Sequence, residues 1–153
     1  MKKILFSLLC CLMIAGAVQA QIRKVPADVT NAFKAKFPNA KDIEWKDRLT
    51  FFRAEFKDNN GVSMSADFDS KGEWQETEKA LSFDEAPAAV KEGLSKSKYA
   101  SASEWKPGNT VMVITKNDKS TQYRVYVDKV DGVQKKYLYF NTSGQLEKEA
   151  LTL

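Results

Sequence analysis

From Val62 to Phe68 the chain alternates without a break, with Val62, Met64, Ala66 and Phe68 on one side of an extended segment and Ser63, Ser65 and Asp67 on the other. A period of two marks a strand with one buried and one wet face. Asp69-Ser70-Lys71-Gly72 then reads as a turn into a second strand, Glu73–Lys79. The same pattern returns at Lys135–Leu146: aligning Phe68 with Phe140 also aligns Asp69 with Asn141, Gly72 with Gly144 and Trp74 with Leu146. Alternation predicts further strands at Lys41–Lys46, Thr50–Lys57, Val111–Thr115, Thr121–Val130, Val133–Phe140 and Gln145–Leu151. Asp58-Asn59-Asn60-Gly61 and Asp131-Gly132 have hairpin-turn composition. Glu73–Lys79 is polar outside Trp74, a pattern that suits a sheet edge or a solvent-washed position.

Two stretches carry a different period. After Val25-Pro26, the residues Val29, Ala32, Phe33 and Phe37 recur at intervals of three and four, which predicts an amphipathic helix ended by Pro38. Ala86-Pro87-Ala88-Ala89-Val90 restates Val25–Val29 at an offset of 61, Phe33 falls on Leu94 at the same offset, and Trp45 falls on Trp105 at 60. Gly93 weakens this second helix by roughly 1 kcal/mol relative to alanine. By the Phe68/Phe140 pair the offset is 72, so an insertion lies in the strand pair after Trp105. The expected fold is α+β: two tandem helix-plus-four-strand repeats, 25–81 and 86–153, forming one antiparallel sheet with the helices packed on one face and the other face open.

Composition changes this picture at the N-terminus. Lys2 and Lys3 precede a mostly apolar run from Ile4 to Val18, and Val18-Gln19-Ala20 offers small residues at the positions a signal peptidase reads. Residues 1–20 are therefore expected to be a signal peptide cleaved after Ala20, leaving 21–153 as a single domain with no transmembrane segment and a periplasmic location. Both cysteines, Cys10 and Cys11, leave with it, as do two of the 24 basic residues and none of the 20 acidic ones. A balance of 22 to 20 gives no electrostatic footprint for nucleic acid. There is no histidine, which removes the commonest general base and metal ligand together.

The Val-Pro-x-x-Val helix start at Val25–Val29, the aromatic-rich strand pair, and Phe-[Asp/Asn]-x-x-Gly at Phe68–Gly72 and Phe140–Gly144 together resemble the PepSY-like proteins. That family shares its fold with the beta-lactamase inhibitor proteins, and the resemblance spans essentially the whole chain after residue 20. Ala86, in place of a bulkier apolar residue, and Leu146, in place of an aromatic, depart from the pattern and point to a looser second half. The resemblance implies secretion to the periplasm, supplies no catalytic residues, and points to binding proteins. Inhibition of proteases and response to calcium are the activities that go with it.

Two clusters are candidates for chemistry. Asp67, Asp69 and Glu73 have the alternating carboxylates of a calcium loop, but Lys71 occupies a ligand position, and a plain turn built on Asp69 and Gly72 explains the same residues. Calcium is the one cofactor to consider. Glu76 and Glu78 share a strand face at roughly 7 Å, as an acid/base pair would, yet their polar neighbours describe a solvated strand. No enzymatic activity is expected. The stronger candidate is the open face of the sheet, with Arg53, Glu55, Arg124, Tyr126, Tyr137 and Tyr139 as its partner-binding residues, since tyrosine and arginine combine large contact area with a polar tip. Cross-strand pairing alone would also account for the tyrosines. The expected function is that of a secreted, non-enzymatic binding protein for an envelope protein or peptide, including an inhibitor of a protease or envelope enzyme; the alternative is a calcium-responsive envelope sensor.

Overall fold

Pro26, extended at φ −61° and ψ 152°, stands just before the first helical residue and delivers the chain into helix α1, Ala27–Lys36. Its apolar stripe follows the expected spacing, with Val29 and Phe33 fully buried, and Pro38 limits it so that Phe37 closes the last turn by donating its N–H to the Phe33 carbonyl. The computed structural model describes residues 23–152. The expected signal peptide, residues 1–20, lies outside them.

Four strands follow: β1 (Lys41–Arg48), β2 (Phe51–Lys57), β3 (Ser63–Phe68) and β4 (Trp74–Ser82). A short 3-10 turn, Phe83–Glu85, is capped at its N-terminus by a reciprocal Ser82–Glu85 capping box and leads to helix α2, Ala88–Ser95. Four more strands complete the chain: β5 (Trp105–Lys116), β6 (Thr121–Lys129), β7 (Lys135–Asn141) and β8 (Leu146–Leu151). All eight form one sheet in chain order, β1 to β8, every neighbour antiparallel.

Both helices cover the same face. α1 packs on Phe52, Ala54, Phe56, Ala66 and Phe68, with Phe33 edge-on to Trp45, Phe56 and Phe68 at centroid separations of 5.3, 5.1 and 6.2 Å. α2 packs Val90 and Leu94 on Val111, Val125, Val127, Leu138 and Phe140. Two apolar clusters thus lie side by side under two helices, held in one sheet by the β4–β5 pairing from Glu76↔Lys116 to Ser82↔Thr110.

The turns that follow β3 and β7 are built alike. Asp69 Oδ1 accepts the N–H groups of Lys71 and Glu73 at 2.9 and 2.8 Å, and Asn141 Oδ1 accepts those of Ser143 and Gln145 at 3.1 and 3.0 Å. Gly72 and Gly144 sit at φ +84° and +80°, each against the backbone of a helix, Gly72 on Asp28 and Gly144 on Ala89. Gly93 in α2 meets the Gly144 carbonyl, so the glycine that weakens the helix is what lets the turn approach it.

Two expectations need correction. β4 is no edge strand; it lies in the middle of the sheet, between β3 and β5. Its polar residues are tolerated there because Glu78 is matched by an arginine from β6, while Thr77 and Lys79 fall half-buried between the two helix-covered clusters. Predicted strand Val111–Thr115 is in reality twelve residues long and begins at Trp105, with a register shift between Pro107 and Val111. Proline lacks the N–H that a ladder needs, so an irregularity at this point is the expected accommodation.

Candidate functional site

The face opposite the helices is where the chemistry of this chain collects. Cross-strand register places Arg53 opposite Asp67, Asp67 opposite Glu76, Arg124 opposite Tyr139, and Tyr126 opposite Tyr137. Glu55 pairs with Ser65, which pairs in turn with Glu78. All six residues expected to bind a partner therefore share this face.

They do not stand free. Arg53 donates through Nε and Nη2 to the two carboxylate oxygens of Asp67, both at 2.7 Å, and its Nη2 also lies 3.8 Å from Glu76 and 3.6 Å from Glu78. Arg124 makes a second forked pair, Nη1 and Nη2 to the two oxygens of Glu78 at 2.9 and 2.8 Å. The result is a chain of alternating charge, Asp67–Arg53–Glu78–Arg124, that runs from β3 to β6 and crosses the seam between the halves. Asp67 is 5% exposed and Glu78 4%, so both carboxylates are effectively out of water. Glu78 corrects the solvated-strand reading of Glu76 and Glu78: the pair shares a face, but Glu78 is sealed by Arg53 and Arg124. Burial of this kind is sustainable only with close, hydrogen-bonded partners.

The electrostatics follow from this arrangement. The hydrogen bonds and charge of Asp67, with Glu78 and Glu76 behind it, hold the Arg53 guanidinium well above its ordinary pKa. For Arg124, burial works against the charge, yet Glu78 and then Tyr139 keep its pKa raised. Glu76 moves the other way for an acid: burial first, then the charges of Asp67 and Glu78, push its carboxyl upward against the relief given by Arg53 and Lys116.

Tyrosines line the C-terminal half. The Tyr126 and Tyr137 rings lie 5.9 Å apart, and the Arg124 guanidinium stands 5.0 Å from the centre of the Tyr137 ring. Gly108 lies directly against the Tyr126 ring, where a side chain would crowd it. Lys148 lies 5.2 Å from the centre of the Tyr139 ring. Glu55 is held differently, by Lys46 on β1 at 3.0 Å, at the margin of the central cluster.

Two shallow depressions open on either side of Glu78. One, of about 360 Å³, includes Arg53, Glu55, Ser65, Glu78 and Met112 in its lining. The other, of about 280 Å³, has Ile114, 3% exposed, in its lining and is bounded by Glu76, Lys116, Gln122, Arg124, Tyr139 and Lys148. Glu78, Met112 and Ile114 are absent from the residues that the alternation assigns to the site. Periodicity shows which face Glu78 occupies, but not that an arginine two strands away reaches it.

The calcium candidates are not brought together. Asp67 is consumed by Arg53, and Asp69 by the backbone N–H groups of its own turn. Among the described residues no group of three carboxylate or cysteine side chains could hold a metal ion. No helix among them is long and apolar enough to cross a membrane.

An eight-stranded antiparallel meander with two helices on one face and a charged, tyrosine-bearing surface on the other defines the class: an α+β fold with a beta-lactamase-inhibitor-like architecture. Residues 50–148 match the family described as "Putative beta-lactamase-inhibitor-like, PepSY-like", and the chain belongs to that family. Among solved structures, it is similar to a BLIP-like protein from Bacteroides fragilis NCTC 9343 (25% identity, 89% of this chain and 92% of that one, TM-score 0.73). It is similar also to a DUF2874 family protein from Bacteroides ovatus ATCC 8483 (22% identity, 84% and 89%, TM-score 0.75). A third similar structure, from Bacteroides eggerthii DSM 20697, is named as one of the "putative periplasmic proteins" (22% identity, 84% and 90%, TM-score 0.73). No curated protein matches the chain.

Proposed function

We propose that this protein is a periplasmic binding protein that engages a protein or peptide partner through the open face of its sheet and acts by occupancy, without catalysis. The observation that carries the reading is Arg124, fixed at both Nη atoms by buried Glu78 and set against Tyr137 beside Tyr126. Rigid aromatic and arginine side chains of this kind bind with little further loss of conformational freedom, which is why they concentrate binding energy in protein interfaces. Membership of a beta-lactamase-inhibitor-like family and likeness to a structure named as periplasmic support the same reading. Inhibition of an envelope enzyme is the most economical consequence of such binding. The matched turns at Asp69 and Asn141 support an origin of the domain, residues 21–153 after removal of residues 1–20, by duplication of one helix-plus-four-strand unit.

Photo-crosslinking in the native envelope from a benzoylphenylalanine at position 139 identifies the partner. Its affinity is then measured for the purified protein and for Tyr126→Ala with Tyr137→Ala. Loss of at least about a hundredfold, as for a pair of interface hot spots, supports the reading. Absence of any crosslinked protein, or equal affinity of the double variant, overturns it.

A further inference from the structure

One polar atom of the Glu78–Arg124 bridge is left over. Arg124 gives Nη1 and Nη2 to Glu78, but its Nε is buried and has no acceptor among the described residues. A buried N–H without a partner keeps the whole cost of leaving water. To reach Glu78 on β4, the arm of Arg124 crosses β5, where Met112 and Ile114 are the nearby residues of the open face. Met112 stands directly opposite Arg124 in the β5–β6 ladder, a position that holds β-carbons about 5 Å apart. It is half-buried and belongs to the lining of the 360 Å³ depression, which leaves it open to small solutes. Its thioether sulfur is only a weak acceptor for an N–H beside it.

We propose that Met112 is a reversible oxidation site and that Arg124 Nε donates to the oxygen it gains. A peroxide transfers one oxygen atom to the thioether: the sulfur gives up two electrons, the S–O bond forms as the O–O bond breaks, and the peroxide leaves as water. The sulfoxide oxygen is a strong acceptor created beside the unpaired N–H. An outside ligand cannot supply that acceptor, because Nε is already enclosed. Methionine oxidation normally disrupts packing by adding a polar atom to an apolar site. Here the added atom answers a buried donor. Met64, the only other methionine after residue 20, gives the contrast: it packs against the apolar cluster under α1, which holds no unpartnered side-chain donor among the described residues. Both cysteines lie in residues 1–20, so Met64 and Met112 carry all the sulfur of the rest of the chain. A methionine sulfoxide reductase restores the thioether, releasing the oxygen as water while two thiols become a disulfide. The oxidised form holds Arg124 by a third hydrogen bond, so the open face registers oxidant exposure at the residue that anchors it.

The test treats Met64→Leu, in which Met112 is the one methionine left after residue 20, with hydrogen peroxide. Mass spectrometry is expected to find a single added oxygen on the peptide that contains Met112, formed at a rate within about tenfold of that of a blocked free methionine, as suits a half-exposed thioether. In arginine-selective NMR spectra the Arg124 Nε–H proton should move downfield and exchange with water at least about tenfold more slowly, the mark of a new hydrogen bond. The melting temperature should hold or rise. In the same protein carrying Glu78→Leu with Arg124→Met, which has no Nε–H, the same oxidation should lower it. Methionine sulfoxide reductase with a dithiol should return mass and spectrum to their starting values. Failure of Met112 to oxidise, an unmoved Nε–H resonance, or an equal fall in melting temperature with and without Arg124 overturns the inference.

Discussion

Glu78 and Arg124 belong to strands that are not neighbours, β4 and β6, and meet above β5 through two parallel hydrogen bonds of 2.9 and 2.8 Å. Their side chains thereby tie the N-terminal four strands to the C-terminal four on the face that no helix covers. Removing one partner leaves the other buried without its counter-charge, which typically costs 3–5 kcal/mol. Glu78→Ala is expected to destabilise the protein by about 3 kcal/mol in urea unfolding, and the paired change Glu78→Leu with Arg124→Met by distinctly less. Equal losses for the single and paired changes would show that the pair is not the source of the effect.

The pH dependence of stability should carry the imprint of Glu76. Its folded-state pKa is raised above the ordinary 4.5, so the native state holds this proton more tightly than the unfolded chain does. Its contribution is therefore most favourable below the unfolded value and is lost as pH rises through the folded one. In Glu76→Gln that loss disappears. Melting temperatures of the variant and wild type should coincide near pH 4 and separate in favour of the variant by pH 7, a difference that thermal scans across the range would read directly.

At the β3–β4 turn, Asp69→Ala removes an acceptor of two backbone N–H groups and is expected to cost about 1–2 kcal/mol, as other caps of this kind do. Millimolar calcium should leave the melting temperature of the wild-type protein unchanged, because the Asp67 carboxylate is already held by Arg53 and Asp69 Oδ1 by the backbone of its own turn. A calcium-dependent rise in melting temperature that Asp69→Ala eliminates would restore the metal site.

Gly144→Ala tests the approach of the second helix to its turn. A β-carbon there would run into the Ala89 carbonyl at a backbone angle of φ +80°. Neither partner is a flexible side chain, so the structure must shift; a loss of at least about 3 kcal/mol is expected from steric overlap and backbone strain together. Chemical denaturation of the variant would measure it.

Most of the architecture is legible in the chain itself. Alternation in β2, β3, β6 and β7 is clean because one face of each strand lies under a helix, and the proline–valine starts mark both helices. β4 is not legible in the same way. Glu76, Glu78 and Lys79 look like surface residues, because hydropathy records polarity and not whether a polar group has found a partner. Arg53, Arg124 and the tyrosines can be placed on one face from their parity, yet Glu78 becomes visible as their anchor only once the β4–β5–β6 register is known. The turn at Asp69 shows the opposite: its carboxylate looks like a metal ligand, yet the Asp-x-x-Gly spacing already marks a turn, and the backbone N–H groups of Lys71 and Glu73 satisfy it.

Strand order that follows chain order also has a kinetic meaning. Six of the seven strand pairings join consecutive hairpins, and each closes a short loop; only β4 to β5 spans the excursion from Ser82 to Trp105 through the second helix. Loop-closure entropy makes that seam the slowest pairing to form. The Glu78–Arg124 latch can engage only after the seam has zipped. Mutations in the latch should therefore accelerate unfolding and leave the refolding rate nearly untouched, so that the bridge governs how long the finished sheet persists rather than how quickly it assembles.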